Sequence, residues 1–214
     1  HGVSTRDQNT LERDVKLYFV LNAALLDAGV ASWDAKRQYD FVRPATAIPH
    51  LFAGEMVRGW LGPNLGIGVM DGRDWRPYQD LTFVTPPFPE YVSGHSTFSF
   101  AAATILRLFT GSDQFHDGVS RTAEDIDGDG EDDLLGEFTL APMSSTFDNV
   151  PAQPVTLRWP TFSDAAEQAS YSRRLGGIHI QDGDLHGRAM GRQVAERAFA
   201  RAQALWLGEG DSQE

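Results

Sequence analysis

Apolar residues return every three to four positions in several long stretches of this chain, and Gly- and Pro-rich sequence separates those stretches. Such a period buries one stripe of each helix and requires the stripes to meet in a shared core. Leu11, Val15, Tyr18, Phe19, Leu21 and Leu25 predict a helix over 7–29, with Gly29 as its stop. A second helix is expected over 31–42, ending at Arg43 because Pro44 disfavours helical geometry in the residue before it. Phe98, Phe100, Ala101, Ile105 and Leu108 predict a helix over 96–108. Another is expected over 164–174, broken by Gly176-Gly177, and a long amphipathic one over 184–207, ending near Gly208. The stretch 51–89, with Trp60 and Trp75, reads as an ordered loop with short helical turns, and 111–158 as irregular and acidic. The fold class is therefore all-α: one domain over 1–214, a helical bundle with long ordered loops.

A chain of 214 residues is long enough to bury a sizeable core. Its net charge of −12 argues against nucleic acid and anionic membrane surfaces as partners. With no cysteine, disulfides, thiol nucleophiles and thiolate metal sites are excluded. No stretch reads as a membrane span. The apolar run over 15–30 is interrupted by Asn22 and Asp27, so a buried helix is expected there. The first residue is His1 rather than Met, so an N-terminal part removed or carried on another chain is expected.

Against this acidic background, three short clusters concentrate cations, imidazoles and small polar groups. Lys36 and Arg43 stand seven residues apart on a helix, which places them on one face two turns apart, where a fork and a point charge suit one tetrahedral oxyanion. The run Pro86-Pro87-Phe88-Pro89-Glu90-Tyr91-Val92-Ser93-Gly94-His95 leads into a helix start, where backbone N–H groups favour an anion. There Ser93 can donate a hydrogen bond, Gly94 lets the backbone approach, and His95 can exchange a proton. Arg173 and His179 flank Gly176-Gly177; at helical pitch they face apart, and the glycines offer a bend that brings them together. Taken singly, the clusters read equally as a solvated basic face, an ordinary N-cap and a core histidine.

In order, Lys-x6-Arg-Pro, Ser-Gly-His and Ser-Arg-x5-His resemble the signature of the type-2 phosphatidic acid phosphatase and vanadium haloperoxidase superfamily, over about 14–207. The resemblance implies that Lys36, Arg43 and Arg173 neutralise the oxygens of vanadate, with phosphate or sulfate as stand-ins. Ser93 and the Gly94 amide would donate hydrogen bonds to it, and His95 would be the acid–base group. His179 would ligate vanadium in a haloperoxidase, or attack phosphorus in a soluble acid phosphatase. Trp33 and Phe88, with the run around Phe88, resemble the halide side of haloperoxidases. That favours oxidation of halide by hydrogen peroxide to a hypohalous acid equivalent, with a small organic acceptor. His95, Lys36 and His179 would then be the catalytic set.

The chain departs from the family pattern in two places. Val92 stands where Pro usually precedes Ser-Gly-His. Gly183 stands where an Asp often follows the histidine by four residues, leaving open whether Asp182, Asp184 or neither orients His179. The helices that precede this region in complete haloperoxidases are absent, so a helical segment on another chain or a homo-oligomer is expected as partner. Separately, Asp125, Asp127, Asp129, Glu131 and Asp133 alternate as in the first half of a calcium loop, with Gly136 at its twelfth position. Calcium there would fit an extracytoplasmic setting, secreted or periplasmic.

Overall fold

A computed structural model describes residues 2–119, 134–145 and 147–209. The calcium-loop candidates Asp125, Asp127, Asp129, Glu131 and Asp133 lie outside the described residues, and among those described no cluster of His, Asp and Glu could hold a metal ion.

Among the described residues there are six α-helices: α1 (Gly2–Arg6), α2 (Leu11–Tyr39), α3 (Pro44–Leu51), α4 (Gly94–Thr110), α5 (Phe162–Leu175) and α6 (Gln181–Trp206). Two small antiparallel hairpins accompany them, β1 (Met56–Trp60) with β2 (Ile67–Asp71), and β3 (Glu137–Leu140) with β4 (Val155–Arg158). The ordered loop expected over 51–89 does hold a short helical turn, at Gly72–Asp74, but the first hairpin adds strands to it, and the second corrects the expectation of irregular chain throughout 111–158. Met56, Ile67 and Val69 are apolar yet exposed, so the first hairpin lacks the apolar-in, polar-out sequence pattern that announces a strand.

α2 is a single 29-residue helix, which corrects the expected break at Gly29. Gly29 lies against the Phe98 ring of α4, and that tertiary packing outweighs the roughly 1 kcal/mol that Gly costs inside a helix. Thr10 caps the start by accepting from the Arg13 N–H, and Asp40 ends the helix in the left-handed region (φ 47°).

Val20, Ala24 and Ala28 of α2 meet Ala101 and Ile105 of α4 and Ala195 and Ala202 of α6 in the main core. The opposite face is not covered: Leu11, Val15, Phe19, Leu26 and Val30 stand more than half exposed. By length and composition alone, the helical stretch Leu11–Leu51 contains a window apolar enough to cross a membrane. That corrects the expectation that no stretch is. Its inner face, however, is packed in protein.

α6 packs closely on α4 at Gly187 and Gly191, one helical turn apart, while Gly183 a turn earlier lies against Glu90. A Cβ at Gly187 would stand 2.8 Å from the Ser93 carbonyl. One at Gly191 would stand 3.0 Å from the Ala101 amide, and nearer still to the Thr97 carbonyl. This backbone contact carries the start of α4 into the centre of the molecule, where the Ser93 N–H donates to the Gly183 carbonyl at 2.8 Å. Asp184 is fully buried beside it and ties three helices together. It accepts from Ser96 of α4 (2.9 Å), from Ser170 of α5 and from the Arg188 fork (2.9 Å).

Gly191→Ala is expected to destabilise the fold by about 1–3 kcal/mol, because two backbones must separate to admit a methyl group. Urea unfolding would measure the loss.

Candidate oxyanion site

Three segments converge at the start of α4. The first leaves α2 at Lys36 and turns at Asp40, so Arg43 is the N-cap of α3 and not a member of the same helix as Lys36. The expectation of one shared helical face is thus corrected, although the two cations still meet. The Asp40 turn lays Phe41 alongside the Pro-rich loop, where its carbonyl accepts from the Glu90 N–H at 2.8 Å.

Lys36 is buried, and its ammonium donates to three carbonyls of that loop: Pro89 (2.8 Å), Glu90 (3.1 Å) and Val92 (2.6 Å). Burial, followed by the charge of Arg43, lowers its pKa to about 8. The three acceptors take one ammonium proton each, the arrangement of the charged form. Lys36 therefore shapes the loop as well as charging the site.

Arg43 donates through Nε to the Phe88 carbonyl (2.9 Å), and through Nη1 to the Ile178 carbonyl (2.9 Å) and to Nε2 of His179 (3.1 Å). Its Nη2 is buried with no partner. Arg173 sits in the last turn of α5, and its Nε is likewise buried without a partner. Gly177 takes the left-handed conformation (φ 69°), and the chain folds back so that the Ile178 and His179 amides both donate to the Arg173 carbonyl. That turn brings Arg173 and His179 to one place.

Ser93 is the N-cap of α4, accepting from the Ser96 N–H at 3.3 Å, and the bond leaves its hydroxyl hydrogen uncommitted. Gly94 is the first helical residue. His95 is exposed at the mouth of the site. The walls around its ring still withhold water, and this desolvation is the largest cause of a pKa held below 6.5. Arg173, His179, Arg43 and Lys36 all push it the same way, which places these five residues in one electrostatic neighbourhood. Trp33 and Phe88 form the apolar wall, with ring centroids 5.2 Å apart and the Lys36 ammonium 5.8 Å and 5.2 Å from them. A groove of about 580 Å³, lined by Val42, Arg43, Pro86 and Phe88 among others, opens onto this wall.

Neither Asp182 nor Asp184 touches His179: Asp182 is exposed, and Asp184 serves the α4–α5–α6 junction. The carboxylate on His179 is Glu90, at 2.6 Å from Nδ1. Sequence reasoning passed over it because the pair is 89 residues apart, and Glu90 carried no signal beyond its place in the Pro-rich run. With Nδ1 donating to Glu90 and Nε2 accepting from Arg43, His179 is a neutral imidazole whose Nε2 lone pair faces the cations. Burial is the largest cause of its pKa lying below 6.5.

The cations suit an anion. Burial lowers the pKa values of both arginines, and Arg173 lowers that of Arg43 further. An oxyanion would relieve that repulsion and give acceptors to Arg43 Nη2 and Arg173 Nε.

The chain was compared with known proteins. Residues 16–208 match the family described as the VCPO second helical-bundle domain. The vanadium chloroperoxidase of Curvularia inaequalis is 32% identical over 97 residues, covering 44% of this chain and 14% of that protein. A bacterial vanadium-dependent chloroperoxidase in its apo form superposes with a TM-score of 0.74 at 22% identity, over 92% of this chain and 37% of the other. The first bacterial vanadium-dependent iodoperoxidase to be solved superposes at 0.60 and 23% identity, over 93% and 36%. The chain thus spans about a third of the solved relatives' length. A family match over nearly the whole chain, on a helical bundle that gathers the Lys, Arg, Ser-Gly-His and Arg–His groups at one point, makes this chain a member of the vanadium haloperoxidase family, corresponding to its second helical-bundle domain.

Proposed function

We propose that this chain binds vanadate in the cage of Lys36, Arg43, Ser93, Gly94, Arg173 and His179, and that it forms the active site of a haloperoxidase. The observation that carries the reading is the pair of buried, partnerless guanidinium nitrogens, Arg43 Nη2 and Arg173 Nε, on two cations that repel each other and both act on His95. In a dry cage, idle cationic donors cost stability unless an anion completes them. His179 would hold the central atom through Nε2 once Arg43 Nη1 gives up its hydrogen bond to that atom and keeps the one to the Ile178 carbonyl, and the three cations would neutralise the oxygens. Bound vanadate supplies a Lewis acid that activates hydrogen peroxide toward attack by halide.

The remaining work belongs to the chain. His95, whose pKa is held below its ordinary value so that the neutral form is favoured, accepts a proton from an incoming peroxide. Trp33 and Phe88 exclude water from one side of the cage and leave an apolar approach for a weakly hydrated halide. A small organic acceptor would take the oxidised halogen, and the groove beside Phe88 and Arg43 is the nearest place for it. The exposed apolar stripe of α2 belongs to the same proposal. A further helical element, on another part of the protein or in a second copy, would cover Leu11, Phe19 and Leu26.

The decisive experiment loads the protein with orthovanadate, adds peroxide and bromide, and follows bromination of a phenolic dye. The vanadate-free protein is then given p-nitrophenyl phosphate. Vanadate-dependent bromination is expected. Phosphate release inhibited by vanadate would instead make His179 a phosphatase nucleophile. His179→Ala is expected to abolish vanadate retention, whereas His95→Ala retains vanadate and loses about 10²–10⁴-fold in turnover, the usual contribution of general acid–base catalysis. Full activity in both variants would sink the assignment.

The pH dependence follows from His95. Its folded pKa lies below 6.5, so the folded state binds fewer protons there than the unfolded chain, and this residue costs stability as pH falls through that window. Phosphate in the cage adds negative charge and should raise the pKa. An NMR titration of the His95 ring, with and without phosphate, reads both the low starting value and the upward move.

A further inference from the structure

Gly183 is packed against Glu90 so closely that a Cβ there would stand 2.7 Å from the Glu90 Cδ and nearer still to Oε1. The two positions therefore compete for one space. Glu90 reaches that space from the Pro-rich loop, and Gly183, in the first turn of α6, leaves it vacant. The carboxylate is fully buried. Its Oε1 accepts from His179 Nδ1 at 2.6 Å and from the Ile180 N–H at 3.1 Å, while Oε2 has no partner. A buried carboxylate with one idle oxygen is a poor stabiliser. Its geometry is instead that of an orienter: it fixes the plane of the imidazole and keeps the proton on Nδ1, so that Nε2 presents its lone pair to the cage. The backbone of the same residue is held from two sides, its carbonyl by Lys36 (3.1 Å) and its amide by the Phe41 carbonyl (2.8 Å). The orienter is thus fastened to the cation that charges the site.

We infer that Glu90 is the positioning residue for His179, and that Glu90 and Gly183 form an exchangeable pair in which a carboxylate on α6 could replace the one on the loop. The inference rests on the oxyanion reading of the cage for its binding arm only. The geometry gives the exchange its direction. His179 and Gly183 are four residues apart around the start of α6, and an Asp side chain at 183 would point into the volume that the Glu90 carboxylate now fills.

The test uses the whole chain free of vanadate, then titrated with orthovanadate by calorimetry, alongside proton NMR of the His179 Nδ1–H. In the parent protein that proton should resonate far downfield, as expected for a short bond to a carboxylate. Glu90→Ala should lose the downfield resonance and weaken vanadate binding by about 10–100-fold, the usual cost of removing such a support. Gly183→Asp alone should also weaken binding, because its side chain collides with Glu90. The double variant Glu90→Ala/Gly183→Asp should restore the downfield proton and most of the affinity. Glu90→Gln, which keeps the volume, should hold the ring but move the resonance upfield. The inference is overturned if Glu90→Ala keeps both parental values, if the folded double variant binds no better than Glu90→Ala, or if Glu90→Gln leaves the resonance unmoved. A parent protein that takes up no orthovanadate would count against the cage reading, while the resonance would still decide the role of Glu90.

Discussion

Two buried cations, Lys36 and Arg43, and the half-buried Arg173 share a volume in which the charge partner nearest at hand is a single carboxylate, and that carboxylate is turned toward a histidine. Removing several positive charges from water is costly, and each additional one lowers the pKa values of the rest. The arrangement is tolerable because backbone carbonyls absorb much of the charge: three on Lys36 and two on Arg43. What the carbonyls leave over is the donor capacity of Arg43 Nη2 and Arg173 Nε. The acidic overall balance does not contradict a site of this kind. It keeps the rest of the surface negative while one interior point is positive.

The scaffold explains how such a point is reached. A helix start enters the middle of the protein because the facing helix has glycine at every fourth position, so backbone lies on backbone. Ser93 and Gly94 are thereby fixed to α6, Lys36 arrives on a long helix from below, and Arg173 and His179 arrive on a reversed turn after α5. The polar junction at Asp184 locks α4, α5 and α6 behind the site, so the pieces cannot slide independently.

Much of this was legible in the sequence. The helices α4, α5 and α6 follow from apolar spacing and their end signals, with bounds shifted by only a few residues. The meeting of Lys36, Arg43, Ser93, His95, Arg173 and His179 was foreshadowed by the ordered motifs, not by periodicity. Indeed, the simple helical argument for Lys36 and Arg43 fails, since Asp40 ends the helix between them. Gly29 misled because local propensity favours a stop there, whereas Phe98 packs over it in the folded chain. The hairpins escaped because their apolar side chains face outward. Glu90 escaped because its partner lies far along the chain. The glycines at 183, 187 and 191 were a readable sign of close helix contact, and the spacing alone could have drawn attention to them.

Trp33 belongs to two surfaces at once. Its ring walls the cage, against Phe88 and near Gly94, yet it remains 45% exposed at one end of the uncovered stripe of α2. From Val20 in the core to Lys36 in the cage, that helix runs roughly 24 Å as one stiff rod. Whatever settles on its outer face also settles on Trp33, and so changes the local dielectric felt by the Lys36 ammonium behind the ring. Any element that covered this face would therefore help to set the electrostatic strength of the interior from outside.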